Sequence, residues 1–105
     1  MYARVARFEG GDPARMDEVI EANRKLIEAA LASPPEGLED ALGTWVLVDR
    51  QARRGLGITL FATEDGMRRG DQALDTMSPP GPAGEAGGRR TSVELYEVVV
   101  RAERS

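Results

Sequence analysis

The hydrophobic periodicity of this chain switches from two residues to about 3.6 and back, twice, and few folds accommodate that order. The first run, "YARVARF" (Tyr2–Phe8), alternates, placing Tyr2, Arg4, Ala6 and Phe8 on one face and Ala3, Val5 and Arg7 on the other. "GGDP" interrupts it. Asp12 followed by Pro13 reads as a helix start, because the Asp carboxylate accepts unsatisfied amides and Pro has no amide to leave unsatisfied. Met16, Val19, Ile20, Leu26, Ile27, Ala30 and Leu31 then recur at helical spacing. Pro34 and Pro35 end that helix at Ser33.

The segment "LEDAL" (38–42) fits either a helical turn or the start of a strand, whereas "TWVLV" (44–48) has the β-branched and aromatic content of a strand. "DRQARRG" is a turn, and "LGITLFAT" (56–63) returns as the second arm of an antiparallel hairpin. Thr63, with Glu64 and Asp65 behind it, caps a second helix. Gly66 and Gly70 predict that this helix is short, ended by "SPPGPAGEAGG" (78–88). That stretch holds no apolar side chain larger than Ala, so an irregular, mobile loop is expected there. "SVELYEVVVRA" (92–102) is the last strand.

Strand, helix, hairpin, helix, strand is the ferredoxin-like βαββαβ plan: one four-stranded antiparallel sheet with two helices on one face, in a single domain spanning residues 1–105. The other sheet face is expected to carry Tyr2, Ala6, Phe8, Thr59 and Phe61. That face is expected to be covered by a second subunit or to bound a cavity: an apolar face of that width on a small protein normally marks an interface, which a symmetric homodimer covers most simply.

Composition narrows the chemistry. With no cysteine there is no disulfide and no thiolate nucleophile; with no histidine the commonest metal ligand and the one side chain that titrates near neutrality are both missing. Catalysis by Ser–His, Cys–His or a zinc–His site is excluded, and no metal site is expected. The net charge of −4 and the interleaving of Arg53-Arg54, Arg68-Arg69 and Arg89-Arg90 with acids or loop residues argue against nucleic acid. No apolar window approaches the length of a membrane span, and "MYARVARFEGG" has no apolar run of the kind a signal peptide needs, so the expected location is the cytoplasm. "GLG" (55–57) precedes a strand, unlike a phosphate loop, which precedes a helix.

The run "VLVDRQARRGLGITLFATEDGM" (46–67), together with "SVELYEV" (92–98) and "YARV" (2–5), resembles the antibiotic-biosynthesis-monooxygenase-like proteins of the dimeric α+β barrel superfamily, in an uncharacterised branch. The resemblance follows the element order of nearly the whole chain and departs from the family at "DTMSPPGPAGEAGG" (75–88), where a longer second helix belongs. It implies a homodimer with a pocket between sheet and helices in each subunit. Characterised members include cofactor-independent oxygenases of polycyclic aromatics and haem-degrading enzymes. The haem degraders use an Asn, a Trp and a His; this chain has Asn23 and Trp45 but lacks the His that would bind iron, so neither haem nor another cofactor is expected. The cofactor-independent oxygenases use Asn, Trp, Tyr and Arg side chains to stabilise a substrate carbanion. Neither Asn23 nor Trp45 falls in a motif of theirs, so neither inherits a catalytic role.

The residues able to line a ligand pocket are Arg4, Asn23, Trp45, Thr59, Phe61, Glu94 and Tyr96. Each has an ordinary structural account. Asn23 continues the apolar stripe of the first helix and is a satisfied amide at its edge or a group aimed into a cavity. Arg4 either pairs with Glu94 across strands at the dimer interface or binds a substrate oxyanion. Trp45, Phe61 and Tyr96 are core aromatics or pocket walls. Tyr96 is the best remaining acid–base candidate, with an ordinary pKa near 10 that demands tuning. Three functions stay open: a cofactor-independent oxygenase, a non-catalytic dimer binding a small apolar or aromatic metabolite, and a structural dimer with a filled interior.

Overall fold

The computed structural model describes residues 1–79 and 81–104. Its elements are β1 (Tyr2–Glu9), a 3-10 turn (Pro13–Arg15), α1 (Met16–Ala32), β2 (Ala41–Asp49), β3 (Arg54–Phe61), α2 (Glu64–Asp75), α3 (Pro82–Ala86) and β4 (Arg89–Glu97). The four strands form one antiparallel sheet in the order β2-β3-β1-β4, the ferredoxin-like α+β arrangement, with the helices on one face. No described helix is long and apolar enough to cross a membrane.

The local signals act where the sequence puts them. The Asp12 carboxylate accepts from the Ala14 amide at 3.0 Å, and the 3-10 turn it caps leads directly into α1. At the other end the Ser33 amide donates to the Ala29 carbonyl before the two prolines. Asp49 holds the hairpin turn by accepting from the Ala52 amide at 3.1 Å, and the Thr63 hydroxyl caps α2 by accepting from the Gly66 amide at 3.0 Å. "LEDAL" divides between the two readings: residues 38–40 form a turn in which the Ala41 amide donates to the Leu38 carbonyl at 3.1 Å, and β2 starts at Ala41.

Four expectations need correction. The first is the face of the sheet. Tyr2, Arg4, Ala6, Phe8, Thr59 and Phe61 do share one face, since Tyr2 pairs with Phe61 and Arg4 with Thr59. That face lies beneath the helices, not opposite them. Phe61 is 0% exposed and packs with Leu38 and Met67. The physical reason is Gly70: a Cβ there would collide with the Phe61 ring, so its absence lets α2 settle onto Phe61. The glycines that weaken a helix by propensity therefore gain close packing in return. For the same reason α2 is not short, running twelve residues.

The segment 78–88 is the third correction, and Pro80 within it lies outside the described residues. It contains the helix α3, started by Pro82, whose Ala83 and Ala86 are buried. Their small side chains let α3 press against α1, the Ala86 carbonyl accepts from the Asp12 amide, and Arg15 pairs with Glu85 at 3.2 Å. Lastly, β4 stops at Glu97 rather than Ala102. The Val98 amide still bonds the Met1 carbonyl, but the β-branched Val99 and Val100 beyond it are each 79% exposed and form no strand.

Candidate functional site: a cleft between α1 and the sheet

Strand β3 is built asymmetrically. Its helix-facing residues are Gly55, Gly57, Thr59 and Phe61, while Leu56, Ile58 and Leu60 point the other way. At the Phe61 end the helix-facing side is filled by α2. Over Gly57 the space of the missing side chain stays open, since a Cβ built there meets no heavy atom nearer than 3.9 Å, whereas one on Gly55 would lie 3.0 Å from the Leu47 carbonyl oxygen. Helix α1 spans this hollow, and of its apolar stripe only Met16 and Val19 are buried. The result is a cleft of ≈ 1020 Å³. Its floor is Ala6, Phe8, Gly57 and Thr59, its walls are Ile20, Asn23, Ile27, Thr44 and Val46, and α3 closes one end. Leu31, Val46 and Val48 in its lining remain exposed, the condition of an apolar groove with a vacant interior face.

Arg4 is the cleft's one buried charge. The residue is 5% exposed, and its Nε donates to Asp71 Oδ1 on α2 at 2.9 Å. Its Nη2 is buried without an acceptor among the described residues; an N–H left so typically costs about 1–3 kcal/mol. The expected Arg4–Glu94 pairing does not form. Glu94 stands opposite Val5, so it is on the other face, where it pairs with Arg7 at 2.9 Å. Beside Arg4, the Thr44 hydroxyl reaches the Thr59 hydroxyl at 3.5 Å, the outer limit of a hydrogen bond.

The seven sequence candidates thus divide. Arg4, Asn23 and Thr59 line the cleft. Phe61 is core. Trp45, Glu94 and Tyr96 lie on the opposite, helix-free face, since Trp45 pairs with Ile58 and Tyr96 with Ala3. Tyr96 is unsuited to proton transfer for a second reason: its hydroxyl donates to Glu94 at 2.6 Å, and stabilisation of the protonated phenol by that carboxylate raises its pKa above the ordinary value. The same bond, followed by the Arg7 contact, holds Glu94 below the usual carboxylate range. Asp71 and Gly57 were missed. Asp71 carries no local signal, being 67 residues from Arg4. Gly57 did carry one, the small–large alternation of "GLGITL".

The helix-free face presents a continuous apolar surface. Val5, Leu56, Ile58 and Leu60 are half-buried by their neighbours alone, while Trp45 and Leu47 are 55% and 46% exposed. The Arg7–Glu94–Tyr96 network borders it on the β4 side. A second hollow of ≈ 600 Å³, between Glu9, Arg53, Glu85 and Arg89, is lined by both signs of charge and contains no unpaired buried group among the described residues.

No family model matches the chain, and no curated protein matches it in sequence. Solved structures do match in fold. The haem-degrader MhuD of Mycobacterium tuberculosis, seen with two haems in its active site, is 20% identical over 98% of this chain and 100% of its own, with a TM-score of 0.61. A conserved protein from Methanosarcina mazei is 15% identical over 90% and 89% of the two chains, also at 0.61. An antibiotic biosynthesis monooxygenase is 16% identical over 95% and 100%, at 0.56. The chain therefore has the fold of the antibiotic-biosynthesis-monooxygenase-like proteins, as its sequence resemblance implies. At these identities the likeness is one of fold, and activity has to be argued from the site.

Proposed function

We propose that this protein is a cytoplasmic homodimer that binds a small apolar or aromatic metabolite in the cleft of each subunit. The observation that carries the reading is the ≈ 1020 Å³ cleft itself, apolar along α1 and the hairpin, with its charged lining residues other than Arg4 exposed. It weighs against a structural dimer with a filled interior. Dimerisation is supported by the apolar helix-free face, whose Trp45 and Leu47 leave large side chains in water. The reading is one of binding. An oxygenase needs a group to take a proton from its substrate, and Tyr96, the candidate for that work, lies across the sheet from the cleft with its phenol pKa raised.

Gly57→Leu tests the site. The new side chain projects into open cleft, so the fold survives while the ligand volume shrinks. Equilibrium dialysis with 2-ethylnaphthalene should show binding to the wild type, with affinity for Gly57→Leu lower by about tenfold or more, an effect of about 1.4 kcal/mol. No binding to the wild type, or equal binding to both, contradicts the reading.

A further inference from the structure

The cleft holds a buried positive charge that is already compensated. Arg4 Nε is paired with Asp71, while Arg4 Nη2 is buried with no acceptor among the described residues. The other polar side chains deep in the lining, Asn23, Thr44 and Thr59, are neutral, and every other charged residue of the lining is exposed. Asp71 does not line the cleft. It stands behind Arg4 on α2 with its side chain 32% exposed, so it can act on a ligand only through the guanidinium.

We infer that the Arg4–Asp71 pair is a subsite for an uncharged carbonyl oxygen borne on an apolar body, and that Asp71 is the residue that sets this preference over a carboxylate. The inference rests on the cleft being the ligand site. An unpaired, desolvated N–H gains most from an acceptor. A ketone, ester or amide oxygen supplies one without adding charge. A carboxylate brings a second negative charge to a site with a single positive one, and it loses its hydration in apolar surroundings. Arg4 lines the cleft but its Nη2 is itself buried, so contact requires a side-chain readjustment of the ordinary kind seen when ligands bind. Any water that reaches Nη2 is the competitor the carbonyl oxygen displaces. Removing the Asp71 charge leaves Arg4 a net cation, and the preference should turn toward anions.

Three probes with one skeleton separate the effects: 2-acetonaphthone, 2-naphthoate and 2-ethylnaphthalene, measured by equilibrium dialysis against the full chain. The wild type should bind the ketone about tenfold more tightly than either the acid or the hydrocarbon, the size of one gained hydrogen bond to a charged donor. Arg4→Met should bring the ketone down to the hydrocarbon's affinity and leave the hydrocarbon unchanged. Asp71→Asn should reverse the order, placing 2-naphthoate above 2-acetonaphthone. If Arg4→Met does not fold, the Asp71→Asn reversal decides alone, because a merely structural role for the pair moves stability and not the order of ligands. Equal wild-type affinity for ketone and hydrocarbon, or an unchanged ketone-to-acid ratio in Asp71→Asn, overturns this inference while leaving the cleft reading intact. Failure of all three probes to bind the wild type overturns both.

Discussion

The two faces of the one sheet are made from alternate residues of the same strands, yet they are packed by opposite rules. Toward the helices β3 offers Gly55, Gly57 and Thr59, and the space above them stays open beneath α1. Away from the helices the same strand offers Leu56, Ile58 and Leu60, joined by Val5, Trp45 and Leu47, and among the described residues no helix covers them. At the glycine end of β3, then, the side covered by secondary structure is hollow, while the bare side carries large side chains along the whole strand. In a self-sufficient monomer the large side chains would face the helices. Their inversion is the observation that supports proposing a ligand for the covered face and a second copy of the chain for the bare one.

The contrast breaks most severely where the covered face is solid. Phe61→Ala removes a fully buried ring from beneath Gly70 and should cost about 3–5 kcal/mol in urea unfolding, with no strand-specific compensation. A loss near that expected for a surface residue would show that the packed end of the covered face is not a core. On the bare face, Trp45→Glu should weaken dimerisation at least about 30-fold in light scattering, the loss of an interface residue worth about 2 kcal/mol. A wild type that is monomeric at micromolar concentration removes the interface altogether.

Smaller effects sharpen the comparison. Gly57→Leu, at the hollow end of the covered face, should alter stability by no more than about 1 kcal/mol while lowering ligand affinity, because its Cβ meets no close neighbour. Equal destabilisation by Gly57→Leu and Phe61→Ala would mean that the hollow is not there. The least effect concerns the polar border of the bare face. Glu94 is held below the usual carboxylate range by Tyr96 first and Arg7 second, so its contribution is present above its unfolded-chain pKa and is lost as acid takes the pH down through the lowered folded value. The Tyr96 phenol is raised, so its contribution is present below the ordinary phenol pKa and is lost as pH rises through the raised value. Tyr96→Phe should abolish the alkaline limb of the Tm–pH profile and flatten the acid limb, by amounts near the limit of detection for exposed groups. An alkaline limb that persists unchanged assigns it to another residue.

Element order and type were legible because periodicity and caps are local. Asp12, Thr63 and the paired prolines mark helix ends whatever the tertiary structure does, and the alternation in Tyr2–Phe8 needs no partner to be read. The grouping of Tyr2, Arg4, Thr59 and Phe61 on one face was legible too. What covers that face was not, because a two-residue period separates two faces without naming either. Phe61 and Gly57 share a face but serve opposite ends of it, and the large ring drew the reading toward an uncovered apolar surface. The steric fit of Gly70 over Phe61 is a contact between an absent side chain and a distant ring, beyond any propensity scale. Arg4 was singled out with Glu94 as the expected partner, while the carboxylate it meets, Asp71, lay on another element with only its charge to recommend it. In Pro82–Ala86 composition pointed to a loop, and two buried alanines against α1 made a helix. The strand propensity of Val99 and Val100 led to the opposite error, since a strand also needs a neighbour.

The single tryptophan gives the most direct test of the division between faces, because Trp45 lies on the bare face and the cleft lies across the sheet. Its emission and its quenching by iodide are to be followed along two axes: dilution of the protein without ligand, and saturation with 2-acetonaphthone at a fixed, high protein concentration. The account predicts a red shift and rising iodide quenching on dilution, as the interface opens, and iodide accessibility unchanged by ligand. Accessibility that is indifferent to dilution but falls as ligand binds would contradict it, placing the ligand on the face assigned here to the partner.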